Sequence, residues 1–207
     1  MAQGQNMAIQ VLEETISYVP TVFDFRPLGL SDEQFENLCR NHPDLNVEMS
    51  AEGELIIVPP TLPYTGKKNS DLNFHVQVWA RKDKSGVVFD SSTLFTFPNG
   101  AKRSPDVSWV LRKKWENLSE YEKRRFSRLV PDFVIELRSL SDSLKTLKKK
   151  MAEYIANGVR LAWVIDPDEQ KVYVYRANGE IEVLNNPEMV SGEDVLNGFE
   201  LKVRDIW

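Results

Sequence analysis

The 207-residue sequence holds a single cysteine, Cys39, and two histidines, His42 and His75. One cysteine excludes an intrachain disulfide, and its place in a helical pattern reads as a small core residue rather than a nucleophile. Neither histidine stands at a metal-ligand spacing, so no zinc module is expected and both read as structural or surface residues. No apolar run approaches the roughly 18 residues of a membrane span. The first residues, MAQGQNMAIQVLEE, lack a basic segment leading into an apolar one, so no signal peptide is expected. These absences suit a reducing cytoplasm. Positive charge is not in excess either: the net charge of −5 argues against a broadly basic nucleic-acid coat. Lys and Arg are nevertheless bunched in RKKWENLSEYEKRR and LKTLKKK, where solvated helix faces are the ordinary reading. There is no internal repeat and no low-complexity linker.

What is present reads as one domain with a mixed core. Residues 1–24 form a poorly ordered or edge-lying lead-in, and residues 25–207 a single unit. SDEQFENLCRNHP carries a capping box, Ser31 with Gln34, and predicts a helix that ends before Pro43. NVEMSAEGELIIVPP predicts a hairpin turning at residues 51–53. GKKNSDLNFHVQVWARKD is helical, with Leu72, Val76 and Trp79 in register. Strands follow in GVVFDSS, TLFTFP and DVSWVL, and Asn99-Gly100 marks a hairpin between the last two. A short polar helix capped by Ser119 and Glu122 precedes the strand DFVIELRS. SDSLKTLKKKMAEYIANG is a helix with Ser141 as its cap and Gly158 just past its end. RLAWVIDP and KVYVYRANG are two further strands, antiparallel to each other, and the apolar pair around Trp163 and Tyr173 to Tyr175 fits a core or an interface equally well.

Acids stand in two of the most strand-like segments. Alternation places Phe133, Ile135 and Leu137 on one face, and Asp132, Val134, Glu136 and Arg138 on the other. Likewise Val107, Trp109 and Leu111 oppose Asp106 and Ser108. Asp132 and Glu136 are four residues apart, roughly 13 Å, too far to share one cation. A carboxylate on a neighbouring strand, about 4.8 Å away, is the better partner, and Asp106 is placed to supply it. Two carboxylates so close repel, which raises a pKa or recruits a metal. Oxygen ligands suit Mg²⁺ or Mn²⁺. In the helix after Glu136, Leu144, Leu147, Met151 and Ile155 form the apolar stripe. Lys150 and Tyr154 lie on its edge, four residues apart. The rival reading is an ordinary amphipathic helix with a lysine border.

Asp106 after Pro105, Glu136 in a later strand and then a basic residue resemble the PD-(D/E)xK nuclease pattern. More specifically, DSSTLFTFPNGAKRSPDVSW, PDFVIELRSLSDSLKTLKKKMAEYIANGVRLAWVIDP and VSGEDVLNGFELKV resemble the Uma2 family of restriction-type endonucleases, abundant in cyanobacteria. The resemblance spans roughly residues 25–207. It implies an α/β (α+β) fold, a mixed central sheet flanked by helices, with Asp106 and Glu136 as metal-binding acids. The lysine usual two residues after the glutamate is absent. Arg138 stands there, and as a permanently protonated group it can neutralise phosphate but not act as a base. The resemblance implies that the lysine has moved onto the helix, where Lys150 matches it and Tyr154 helps to place it. Glu48 matches a family glutamate, and the residues alone leave open whether it reaches the metal. Leu140 stands where the family often has proline, which affects only a turn.

The activity implied is metal-assisted hydrolysis of a DNA phosphodiester. Arg112, Lys113 and Lys114, with the run from Lys123 to Arg128, are the candidate contacts to the DNA backbone, and an isologous homodimer is the default assembly. Two rival readings stand beside it. One is a catalytically inactive nuclease fold that binds nucleic acid or a protein partner. The other is a salt-bridge network in which Asp106 and Glu136 pair with Arg138 and Lys150.

Overall fold

Every residue of the strand FVIEL is buried, and it sits inside the larger of two main sheets. The fold is that of a computed structural model describing residues 20–126 and 128–207. In chain order the elements are β1 (Thr21–Asp24), α1 (Asp32–Asn41), β2 (Asn46–Met49), β3 (Glu54–Val58) and α2 (Pro63–Asp83). Next come β4 (Gly86–Asp90), β5 (Phe95–Thr96), β6 (Lys102–Arg103), β7 (Val107–Leu111), α3 (Arg112–Glu116), β8 (Phe133–Leu137) and α4 (Leu144–Ala156). The chain then forms β9 (Leu161–Asp166), β10 (Lys171–Arg176), β11 (Ile181–Asn185), β12 (Met189–Ser191) and β13 (Glu200–Lys202).

The larger sheet has the order β11-β10-β9-β8-β7-β4. All its pairings are antiparallel except β8 with β9. That parallel pair requires a crossover, and α4 provides it. Both faces of the sheet are covered, which is why β8 and β9 read as near-continuous apolar runs. Val107, Trp109, Phe133, Ile135, Trp163 and Val174 pack on one face with Leu72 and Val76 of α2. Val110, Val134, Val164, Tyr173 and Tyr175 pack on the other with Leu147, Met151 and Tyr154 of α4. Trp163, Tyr173 and Tyr175 are therefore core residues. The smaller sheet, β1-β3-β2-β6-β5, packs on α1 through Phe35, Val47, Met49 and Leu55. Its edge strand β1 lies within the expected lead-in, whereas residues 1–19 fall outside the described residues. No helix among the described residues is long and apolar enough to cross a membrane.

Local chemistry sets the helix limits. The Ser31–Gln34 capping box forms in both directions. Gly158, at φ 102, takes the left-handed conformation that ends α4. Gly86 lies under the indole of Trp109, where a Cβ would overlap the ring. Three expectations are corrected. The Asn99-Gly100 turn joins β5 to β6 in the smaller sheet, not to β7, because the chain leaves that sheet after two residues of pairing. The cap of α4 is Ser143 rather than Ser141, whose hydroxyl lies against that of Ser139 instead. The polar segment after Ser119 closes its capping box with Glu122 but makes only one 3-10 turn, over Glu122–Arg124, since it lacks an apolar stripe to bury. α3 directly continues β7, and it forms the short helical part of the basic run RKKWEN.

Candidate active site

Ser104-Pro105-Asp106 is the short connection that carries the chain from β6 of the smaller sheet into β7 of the larger. The antiparallel register pairs Val107 with Ile135, so one step further places Asp106 opposite Glu136. The Leu137 amide donates to Asp106 Oδ2 at 2.7 Å, and Asn69 Nδ2 of α2 donates to Oδ1 at 2.8 Å. Glu136 faces α4. Tyr154, wholly buried, donates its hydroxyl to Glu136 Oε1 at 2.7 Å, and Lys150 Nζ lies 2.9 Å from the same oxygen. Both contacts land on Oε1, which leaves Oε2 without a hydrogen bond among the described residues.

Glu48 reaches this group from β2. Its Oε1 accepts from Lys150 Nζ at 3.0 Å and from the Ser104 amide at 2.9 Å, and its Oε2 accepts from Arg103 at 3.3 Å. Arg103 in turn donates to Glu153 at 2.7 Å. The two sheets and α4 thus meet on one charged network.

Burial disfavours the ionised carboxylates and lifts Asp106 to about 6, against hydrogen bonds from Leu137 and Asn69 that work the other way. Burial also lifts Glu136 to about 7; Lys150 opposes the shift, while Asp106 and Glu48 add like-charge repulsion. Glu48 is desolvated as well, yet Lys150 and Arg103 together hold it below the usual range. The Lys150 ammonium is desolvated, but Glu136 and Glu48 raise its pKa and keep it protonated.

The structure brings together Asp106, Glu136, Lys150, Tyr154 and Glu48. Arg138 is placed apart, with Nη1 on Asp166 at 2.6 Å and Nε on the Asp142 carbonyl at 3.3 Å. Asp132, the acid of the second Pro-Asp pair, sits at the other end of β8, held by Lys114 at 2.9 Å and the Leu111 amide at 2.8 Å. Arg112 donates to the Lys84 and Gly86 carbonyls, and Lys113 is exposed. This basic segment follows β7 whereas Asp106 precedes it, a separation of roughly 20 Å along the strand. Sequence reasoning missed Asn69, Arg103 and Glu153. Glu153 was within reach, because it follows Lys150 by three residues on the same helix edge. Nothing local pointed to Asn69.

The donor set fits a hard divalent cation. Among the described residues the cations paired with Glu136, Glu48 and Glu153 beside Asp106 are Lys150 and Arg103, an excess of two negative charges when all ionise. Among the described residues no three His, Cys, Asp or Glu side chains converge as a ready-made cage. Two carboxylates with water in the remaining positions is the arrangement Mg²⁺ tolerates.

No curated protein matches the sequence. A crystal structure titled as a putative nuclease belonging to DUF820, from Anabaena variabilis ATCC 29413, aligns with a TM-score of 0.73 at 24% identity, covering 86% of this chain and 97% of that one. At that identity the likeness establishes the fold. The profile of the Uma2 family, described as "Putative restriction endonuclease", matches residues 32–204. The chain therefore belongs to the Uma2 family.

Proposed function

We propose that this protein hydrolyses DNA phosphodiester bonds with a divalent cation, Mg²⁺ or Mn²⁺, held by Asp106 and Glu136. The observation that carries the reading is the pairing of these two acids across β7 and β8, with the Lys150 ammonium against Glu136. When bound, the ion supplies Lewis-acid polarisation of the phosphoryl oxygen and a bound water of lowered pKa. Lys150 stays protonated, so it serves as a donor that orients water or stabilises charge building on phosphate, not as a general base. Tyr154 and Glu48 fix Lys150 and Glu136 in place from two sides.

Lys145, Lys148 and Lys149 are exposed on the helix that carries Lys150, and none has an ion pair among the described residues. They are nearer candidates for backbone contacts than Arg112, Lys113 and Lys114, of which Lys114 is already paired with Asp132. A homodimer that brings two sites to one duplex belongs to the same reading, and light scattering tests it. The deciding experiment for the activity is Mg²⁺ and Mn²⁺ titration by calorimetry together with plasmid cleavage. The wild type is expected to bind the ion and nick DNA. Asp106→Ala and Glu136→Ala should do neither, and Lys150→Ala should bind the ion but not cut. A wild type that binds no divalent ion, even with DNA present, sinks the reading and leaves a nuclease fold that only binds.

A further inference from the structure

A groove of about 640 Å³ runs beside α2 and shares Asp106 with the site above. Its lining includes a row of polar side chains along α2, Asn69, Asn73, Gln77 and Arg81, each four residues from the next. Asn69 begins the row at Asp106, to which it is hydrogen-bonded. Arg81 lies twelve residues on, roughly 18 Å away. Phe74 lines the same groove and is 63% exposed, unusual for a phenylalanine. Neither Gln77 nor Arg81 has a hydrogen bond or ion pair among the described residues, and Asn73 has only a long one, 3.4 Å, to the Phe89 carbonyl. Of the charged residues in the lining, Asp90 is already occupied by the Ser92 amide and hydroxyl.

This lining selects its ligand. Phosphates only accept hydrogen bonds and call for several cations, whereas the groove offers one, Arg81. Amides both donate and accept, as base edges do. An exposed ring suits the face of a base. A base already stacked within a duplex has no free face for such a ring, so the ring points to an unpaired strand. We propose that the α2 groove binds an unpaired stretch of nucleic-acid strand beside the bond to be cut, with Asn73 and Gln77 on base edges, Phe74 stacked on a base and Arg81 on a phosphate. The protein's preferred substrate is then DNA with a single-stranded tail, flap or gap rather than blunt duplex. This rests on the nuclease reading of Asp106 and Glu136 for the cut, but the binding itself does not require it.

The test is fluorescence anisotropy with the full chain in EDTA at one fixed salt concentration, using a short single strand, a blunt duplex and the same duplex with a single-stranded tail. The single strand and tailed duplex should bind about five-fold or more tighter than the blunt duplex. Phe74→Ala, and Asn73→Ala with Gln77→Ala, should each weaken single-strand binding by about five-fold or more, as expected from removing a stacked base contact, and leave blunt-duplex binding unchanged. Phe74→Trp keeps an aromatic face and should retain binding, which separates stacking from any loss of fold. Blunt duplex bound as tightly as single strand, or single-strand binding indifferent to all three variants, overturns the proposal. Cleavage is scored separately with Mn²⁺ added. The predicted binding pattern without cutting removes the nuclease reading and leaves the groove; cutting of tailed DNA at full rate by the groove variants does the reverse.

Discussion

Replacing Asp106 with asparagine should make the cation-free protein more stable at alkaline pH. The native carboxyl holds its proton to about pH 6, against an ordinary value of 3.8. Between those values the native state binds more protons than the unfolded chain, so stability falls as pH rises through the window and levels off above it. At about 1.4 kcal/mol per pH unit the full effect is about 3 kcal/mol, reached near pH 8. Water reaches this half-buried side chain and screens part of it, so a gain of about 1–3 kcal/mol is expected for Asp106→Asn. The gain should be about half as large near pH 5 and absent below pH 4. Sterically the site can host the change. The new carboxamide oxygen can still accept from the Leu137 amide, and Asn69, whose buried Oδ1 lacks a donor, can turn its amide to accept from the new NH₂. Glu136, relieved of a like charge, should titrate below its present value of about 7. The assay is urea denaturation in EDTA at pH 5 and pH 8, repeated with Mg²⁺ or Mn²⁺. The ion should stabilise the wild type and not the variant, with protons released on binding below about pH 7, because both acids must ionise to hold it. A variant less stable than wild type in EDTA at pH 8 would refute the claim that Asp106 is held at an energetic cost.

Other changes probe the supporting network. Lys150→Ala leaves Glu48 and Glu136 facing each other without their shared ammonium, and should cost about 3–5 kcal/mol in the cation-free protein by denaturation. Calorimetry should show that it still binds the divalent ion. Tyr154→Phe keeps the packing on Phe97 but removes the donor to Glu136, so a loss of about 1–2 kcal/mol is expected; an unchanged denaturation midpoint would mean the 2.7 Å bond contributes nothing net. Gly86→Ala drives a methyl group into the Trp109 indole and should destabilise by about 1–3 kcal/mol, visible as a lower thermal midpoint with Trp fluorescence shifted toward the exposed range.

Period-two alternation in VSWVL and FVIEL, and the helical stripe through Leu147 and Met151, are local properties of the chain. They were enough to place Asp106 and Glu136 on one side of their strands and to put Lys150 beside Tyr154. The Ser31–Gln34 box and Gly158 are local too, and both were legible. Pairing is not local. Asn99-Gly100 announces a turn but cannot say which strands it joins, because two residues after the turn the chain changes sheets. Arg112 to Lys114 read as a basic cluster near Asp106 in sequence, yet an extended strand sets them at opposite ends of β7. Glu48 meets Lys150 only because two sheets and a helix converge, and their sequence separation leaves no periodic trace. The α2 row of Asn69, Asn73, Gln77 and Arg81 is visible as a helical spacing. Only packing decides that its buried face rests on the larger sheet and that its polar face lines a groove leading from Asp106. Local stereochemistry determined the faces; long-range burial, which rewards whichever arrangement hides the most apolar surface, decided which faces meet.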